Sequence, residues 1–314
     1  MELRHLRCFL AVAEELHFAR AAERLHMEQS PLSRAIKDLE EELGVVLFAR
    51  TTRSTRMTRA GKLFLVHVRR VFAALEQARD SVKAAANGFH GQLRVALSDG
   101  ITPSRLPALL ALCRQEEPEV ELRFFEVPLS QQIKGLHDDL YDVGFAQSDE
   151  VGDGIATIPA WRDTLIVTVP ARHPLLAHKR IPLEELLRYP LVLCDPQVGE
   201  GHAKFVDRVL RRADIEPLVA ERVASCDLMM ALVSAGLALG FTGAARIAAN
   251  PDSGVVARPL ALRVPPLTTF LLYPDSEPSD VLARFIERVQ AIESPEPSRP
   301  KSGHHSDSLE EPSP

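Results

Sequence analysis

Polar side chains at helical spacing offer the first chemistry in this 314-residue chain. Ser30, Ser33, Arg34 and Lys37 recur at i, i+3, i+4 and i+7, so a helix through them presents one compact polar face, while Leu32, Ile36, Leu39 and Leu43 fall on another. Hydroxyls, a guanidinium and an ammonium on the leading half of a helix are the groups that meet phosphates and base edges when that helix enters a major groove. Asp38, Glu40, Glu41 and Glu42 crowd the far end and belong on the side facing away from nucleic acid. A second candidate follows directly. Arg50, Arg53, Arg56 and Arg59 are interleaved with Thr51, Thr52, Ser54, Thr55 and Thr58, with no acidic residue among them, which suits a phosphate clamp.

These groups need elements to hold them. Ser30 followed by Pro31 predicts a helix start, because the Ser oxygen can accept an orphan N–H and Pro has none to lose. Leu3, Leu6, Leu10 and Ala13 form one stripe over residues 3–14, predicting a first helix that packs on the two short helical patterns within 18–43. Gly44 stops the second pattern, and the apolar run from Val45 to Phe48 opens a hairpin, a wing, with the arginines at its tip. From Thr58, a capping residue, a long helix is predicted to run to about Asn87-Gly88. Along it Phe64, Val68, Val71, Leu75, Ala78, Val82 and Ala85 alternate in steps of four and three, a seam on which two copies of the chain could pair as a coiled coil; the alternative is a helix lying on its own domain.

Beyond Gly91 the pattern changes to alternating strands and helices. Strands are predicted at LRVALS, VELRFFE, YDVGFA, 164–170, 191–194, 218–224, 255–260 and 268–273. Helices are predicted at 102–117, 129–138, 202–213, 226–235, 243–249 and 279–292. Such alternation implies parallel sheet covered by helices, long enough for two lobes with a cleft at the strand ends. After Ser294 a tail with five prolines and almost no apolar residues is expected to be disordered, His304 and His305 included.

Composition narrows the class. With 46% hydrophobic and 25% charged residues the chain is ordinary for a globular protein, and its length suits two or three domains. The net charge of −6 argues against indiscriminate nucleic-acid affinity of the whole, leaving local charge to decide. No apolar run approaches the roughly 20 residues of a membrane span, and no signal region opens the chain, so a cytoplasmic location without membrane contact is expected. Cys8, Cys113, Cys194 and Cys226 show neither CxxC nor zinc-finger spacing and read as free thiols, so no metal and no cofactor is expected. An enzyme, with an α/β catalytic domain tethered to a DNA-binding head, is the competing class. Cys194, Asp195 and His202 lie near one another in sequence, but GxSxG, P-loop, GxGxxG and HExxH motifs are all missing, so no catalytic residue is assigned.

The first 65 positions resemble the amino-terminal region of LysR-type transcriptional regulators. The likeness is carried by the Phe9–Glu14 segment FLAVAE, by ARAAERL, QSPLSRAIKDLEEELG and LFAR, and by TRAGK at the start of the long helix. Looser matches at GQLRV, Leu106-Pro107, YDVGF and Ser234-Ala235-Gly236 extend it to about residue 293, and the opening helix and linker are most similar to regulators of benzoate, catechol and chlorocatechol catabolism. The resemblance implies an α+β multidomain protein. Its parts would be a winged helix-turn-helix (1–58), a linker and dimerisation helix (59–88), a two-lobed effector-binding domain similar to periplasmic binding proteins (89–293; lobe I about 91–161 and 268–293, lobe II about 162–267) and a disordered tail (294–314). It implies promoter DNA and a small organic-acid or aromatic effector as partners, a homodimer through the linker helix, a homotetramer, and contact with RNA polymerase.

Carried onto this chain, the likeness places Gln29, Ser30, Pro31, Ser33, Arg34 and Lys37 in the major groove and Arg50, Arg53 and Arg56 on the wing. Gln29 suits adenine and Arg34 guanine, while Ser30, Ser33 and Lys37 suit phosphates. His17 stands where relatives carry a capping Ser or Thr, a departure expected to weaken that cap; His26 is expected on a helix surface. The effector would be met by Ser98, Gly100 and Thr102 in the first strand-to-helix loop, by Leu129 and Ser130, by Gln147, by Gly199, Glu200 and His202 in a loop that often holds a carboxylate or ring, and by Phe241 and Thr242. Departures are numerous: Gly100 replaces a usual hydroxyl, Gln147 an Arg of some aromatic-acid responders, and Phe241 a Pro, and Asp99 and Glu200 oppose an anion.

Overall fold

The computed structural model describes residues 1–50, 55–86, 88–98, 105–249 and 254–292. Arg53, Gly100, Thr102, Asn87 and the tail from Ser294 lie outside the described residues, as does the side chain of Arg50.

Three helices, α1 (Leu3–Glu15), α2 (Phe18–Arg24) and α3 (Gln29–Leu43), and a hairpin of β1 (Phe48–Arg50) and β2 (Thr55–Met57) share one core. Phe9 and Val12 of α1 and Leu32, Ile36 and Leu39 of α3 are buried, as their spacing requires. Phe9 meets Phe48 at 5.4 Å and Phe64 at 4.9 Å between ring centroids, tying the hairpin and the long helix α4 (Arg59–Ala86) to the three-helix core. The strand begins later than expected, since Val45 and Val46 stay exposed and only Phe48 onward pairs, Phe48 opposite Met57. α3 also departs from expectation at its start. Glu28 flanks it, no side chain caps it, and Ser30 and Pro31 already sit inside the first turn. Pro31 costs nothing there, because the first four N–H groups of a helix have no acceptor within it. At the other end Gly44 adopts the left-handed conformation, φ +66°, that closes the helix.

The remaining chain forms two lobes. Lobe I is a five-stranded sheet ordered β4-β3-β5-β12-β6, from β3 (Gly91–Leu97), β4 (Val120–Glu126), β5 (Val143–Ala146), β6 (Ile155–Asp163) and β12 (Leu267–Pro274). It is covered by α5 (Leu106–Glu116), α6 (Leu129–His137) and α11 (Asp280–Ala291). Lobe II holds β7 (Leu165–Pro170), a short turn of helix at Pro174–Ala177, α7 (Leu183–Leu186), β8 (Leu191–Cys194), α8 (Glu200–Leu210), β9 (Val219–Val223), α9 (Cys226–Ser234), β10 (Gly240–Gly243), α10 (Ala244–Ala249) and β11 (Val255–Arg258). β7 pairs antiparallel with β10 and β11, and β8 runs parallel to β9.

The lobe I sheet is therefore mixed rather than parallel, and the three-stranded sheet of lobe II is antiparallel throughout. β12, returning from lobe II, runs antiparallel to both β5 and β6. β6 was not predicted because Pro159 interrupts its pattern, yet it lies at the sheet edge, where a residue without an N–H leaves no ladder bond unmade. β10 escaped as a strand because glycine opens and closes its four residues.

Candidate nucleic-acid interface and inter-lobe cleft

The outer face of α3 exposes Gln29, Ser30, Pro31, Arg34 and Lys37, with Ser33 half-buried at its edge. The buried Leu32, Ile36 and Leu39 behind it fix its roll, so the polar face is held outward by the core. Lys37 Nζ lies 3.3 Å from Glu41, a solvent-exposed i,i+4 pair worth only a few tenths of a kcal/mol, so it can be exchanged for a phosphate. The acids do not act alike. Glu42 pairs with the amino terminus of Met1, whereas Glu40 turns inward and accepts the backbone N–H groups of Leu47 (2.7 Å) and Phe48 (3.0 Å). Glu40 thus sets the hairpin against the helix, a positioning role that the acidic run concealed. Arg56 is exposed on β2, across from Ala49.

His17 does cap α2: its Nδ1 accepts the backbone N–H of Arg20 at 3.3 Å, filling the place where a weakened cap was expected. His26 lies beyond the end of α2 rather than on it, in the turn before α3, at φ +53°.

Thr58 starts α4 as expected, accepting the N–H of Gly61 at 3.0 Å and donating to the carbonyl of Val46 at 2.8 Å. The predicted seam divides. Phe64 and Val68 pack into the head, while Val71, Leu75, Ala78, Val82 and Ala85 are exposed. Another side of α4 rests on lobe I, where Arg70 donates to the carbonyl of His137 (3.0 Å) and Asp80 pairs with Arg123. The helix therefore rests on its own domain along one face and leaves the other open.

Between the lobes lies a cavity of about 620 Å³, within the range of small-molecule sites. Ser98, Gln147, His202, Phe241 and Thr242 line it. Ser98 is 9% exposed and its Oγ donates to the carbonyl of Phe145 at 3.2 Å. Four other expected contacts do not line it. Leu129 is buried in a lobe I cluster, because its place at the start of α6 turns it under the sheet; Ser130, next along, is exposed. Gly199 and Glu200 stand back at the start of α8, where Glu200 pairs with Lys204 at 3.0 Å.

The cleft is bridged at its mouth. Gln147 Oε1 of lobe I lies 3.0 Å from His202 Nδ1 of α8, and Glu150 reaches Lys204 (3.4 Å) and Arg208 (3.6 Å). A Cβ on Gly201 would stand 2.7 Å from the carbonyl of Gln147, so only glycine allows α8 this approach to lobe I.

Sequence reasoning missed Arg246, Ser225, Cys226 and Asp227, which also line the cavity. Cys226 Sγ is 3.7 Å from Thr242 Oγ1, and Arg246 stands on α10, which follows directly after the strand that carries Thr242. Thr242 was the available signal, but the short helix after it carries no amphipathic pattern. Asp163 anchors that helix, accepting the N–H groups of Thr164 (2.7 Å) and Ala245 (3.2 Å), while burial pushes its carboxyl above the usual range against the pull of these bonds.

Among the described residues no cluster of His, Cys, Asp and Glu is arranged to hold a metal, and no helix is long and apolar enough to cross a membrane.

Two family models match the chain: the bacterial regulatory helix-turn-helix of the lysR family over residues 3–62, and the LysR substrate binding domain over 86–292. Over 238 residues it is 35% identical to the HTH-type transcriptional regulator YnfL of Escherichia coli (strain K12), covering 76% of this chain and 80% of that protein. It is 33% identical over 240 residues to the regulator ClcR of Pseudomonas putida, covering 76% and 81%. Among solved structures, full-length CbnR complexed with its target DNA superposes with a TM-score of 0.66 at 30% identity, covering 93% of this chain and 99% of that one. With both of its parts matched, in order, this chain belongs to the LysR family of DNA-binding transcriptional regulators, which are regulators and not enzymes.

Proposed function

We propose that this regulator controls a promoter by placing two copies of α3 in successive major grooves, with a small organic or aromatic acid in the inter-lobe cavity shifting lobe closure and so the spacing of the heads. The parts would divide at 1–58 (head), 59–88 (linker), 89–293 (effector binding) and 294–314 (tail). The observation that carries the reading is the exposed polar face of α3, backed by a wholly apolar core. Gln29 and Arg34 read bases; Ser30, Ser33, Lys37 and the wing residues Arg50, Arg53 and Arg56 meet phosphates, with Pro31 in groove contact. Ser98, Gln147, His202, Phe241 and Thr242 meet the effector, together with Gly100 and Thr102 of the adjoining loop. The exposed stripe of Val71, Leu75, Ala78 and Val82 pairs two copies, and two such dimers form a tetramer. The protein works in the cytoplasm and touches RNA polymerase at the promoter.

Footprinting on its own promoter region at about 0.1 M salt tests the first part. Wild type protects two half-sites about 34 Å apart or a multiple of it. Arg34→Ala loses about 1–3 kcal/mol and relaxes one base position; an unaltered protection pattern removes Arg34 from the reading head. For the pairing, light scattering on a Val71→Glu, Leu75→Glu double variant should return a smaller assembly, and unchanged mass sinks dimerisation through α4.

A further inference from the structure

Charge around the inter-lobe cavity is uneven, and the imbalance points to one end. Arg246 lines the cavity with its side chain 25% exposed. Its nearest acid, Asp227, is 3.9 Å away and 97% exposed, so water screens that pair and little of the guanidinium's charge is offset. Arg105 lies behind the same end, within electrostatic reach of Asp163; it is 8% exposed, and its Nη1 has no hydrogen-bond partner among the described residues. Arg105 faces the half-buried carboxylate of Asp163, which already accepts the N–H groups of Thr164 and Ala245, and besides Asp227 the acid on the cavity wall is Glu126, at the end of β4. Uncompensated buried charge is costly, and a ligand of opposite sign removes that cost.

The loop at Gly199–His202, where the family likeness places an acid group, has the opposite character. Glu200 brings a negative charge, Gly199 stands back from the cavity, and His202 is engaged by Gln147.

We propose that Arg246 is the residue by which this regulator selects acids over neutral isosteres: the effector's carboxylate pairs with Arg246 and the Thr242 hydroxyl, while its apolar body packs on Phe241, Met229 and Leu106. The proposal rests on the reading of the cavity as the effector site and fixes the ligand's orientation within it, acid toward α10, neutral polar groups toward Gln147 and His202. Asp163 is a positioning residue, since its bond to Ala245 aims the turn that carries Arg246.

Calorimetric titration of the full-length protein with benzoate and with benzamide, a neutral isostere, tests it. Wild type should bind benzoate at least tenfold more tightly than benzamide. Arg246→Gln should abolish that preference while leaving benzamide affinity within about twofold, which shows that the cavity is intact; Arg246→Lys should restore part of it. His202→Ala should leave the preference for benzoate in place. Equal binding of the two by wild type, or a preference that survives Arg246→Gln or disappears in His202→Ala, overturns the assignment yet leaves the cavity as a binding site. Binding of neither compound overturns the proposal, and if titration with neutral aromatic and aliphatic compounds is also silent, the reading of the cavity as an effector site fails with it.

Discussion

The head and the effector-binding lobes solve the burial problem differently. Among the described residues, every buried side chain of the head is a hydrocarbon apart from the Cys8 thiol, whereas the buried polar and charged residues, from Arg94 to Arg288, all lie in the lobes. In the head, chemistry is kept on the outside of α3 and the core only aims it. In the lobes polar groups are enclosed, where each must find a partner or carry a cost of a few kcal/mol. A surface that reads DNA can rely on exposed, exchangeable groups; a cavity that recognises a small molecule needs fixed ones.

The largest expected effect tests the enclosed side of this contrast. Arg288 of α11 is buried and bonds Glu116 at 2.6 Å and Glu117 at 2.5 Å, with Arg284 also on Glu117. Burial alone would raise the Glu117 carboxyl, but the bonds from Arg288 and Arg284 outweigh it and hold it below the usual carboxylate range. Arg288→Ala leaves that carboxylate to the more exposed Arg284 alone and should cost about 3–5 kcal/mol at neutral pH in urea unfolding. The sign with pH follows from the depressed value. In wild type the contribution of Glu117 is fully present above the ordinary carboxylate pKa and is lost as pH falls through the lower folded one, whereas in Arg288→Ala protonation relieves a buried charge. The gap between the two proteins should therefore narrow as pH drops below about 4; a gap constant with pH would mean that the cluster stabilises by packing alone.

A slightly smaller loss is expected in the head, and of another kind. Ile36→Ala in α3 removes fully buried apolar volume, at about 2–5 kcal/mol, and with no carboxylate or guanidinium among the described buried residues of the head that loss should be flat across acidic and neutral pH. DNA binding should fall with it while benzoate affinity stays. A pH-dependent loss, or a loss shared by the effector site, would break the division between an apolar head and a polar pair of lobes.

The same contrast explains what was legible beforehand. Apolar periodicity reports an apolar core directly, so α1 and α3 could be read from Leu, Ile and Phe spacing, while the stop at Gly44 and the start of α4 were legible from glycine and from the capping Thr58. The exposed polar face of α3 followed, because its residues are neighbours along one helix. Within the lobes most strands and helices were legible for the same reason, but the order of strands was not, since the direction of β12 is set by the chain's return from lobe II. The cavity suffered most. Ser98, Gln147, His202 and Arg246 come from loops and helix starts spread over both lobes, and only the folded topology brings them together. Leu129 and Ser130 failed because a helix start looks alike whether it faces a cleft or a sheet, and Arg246 was passed over because a lone arginine on a six-residue helix has no pattern to announce it.

The smallest effect lies at a place where the head depends on an unusual polar group. His17 caps α2 through Nδ1, accepting the Arg20 N–H from an extended backbone, the conformation usual for an N-cap residue. Removing an N-cap typically costs about 1 kcal/mol, within a range of about 0.5–2. His17→Ala should therefore lower head stability by roughly that amount, and His17→Thr should recover most of it by offering an oxygen to the same N–H. Because α2 holds α3 in place through Phe18, Ala21 and Ala22 and carries none of the proposed base contacts, the alanine variant should weaken DNA binding without changing which bases are preferred. Measuring unfolding and operator selectivity on the same three proteins separates the two roles. Were selectivity to shift with His17, polar chemistry would reach the DNA from inside the helix pair, and the head would resemble the lobes more closely than its apolar core suggests.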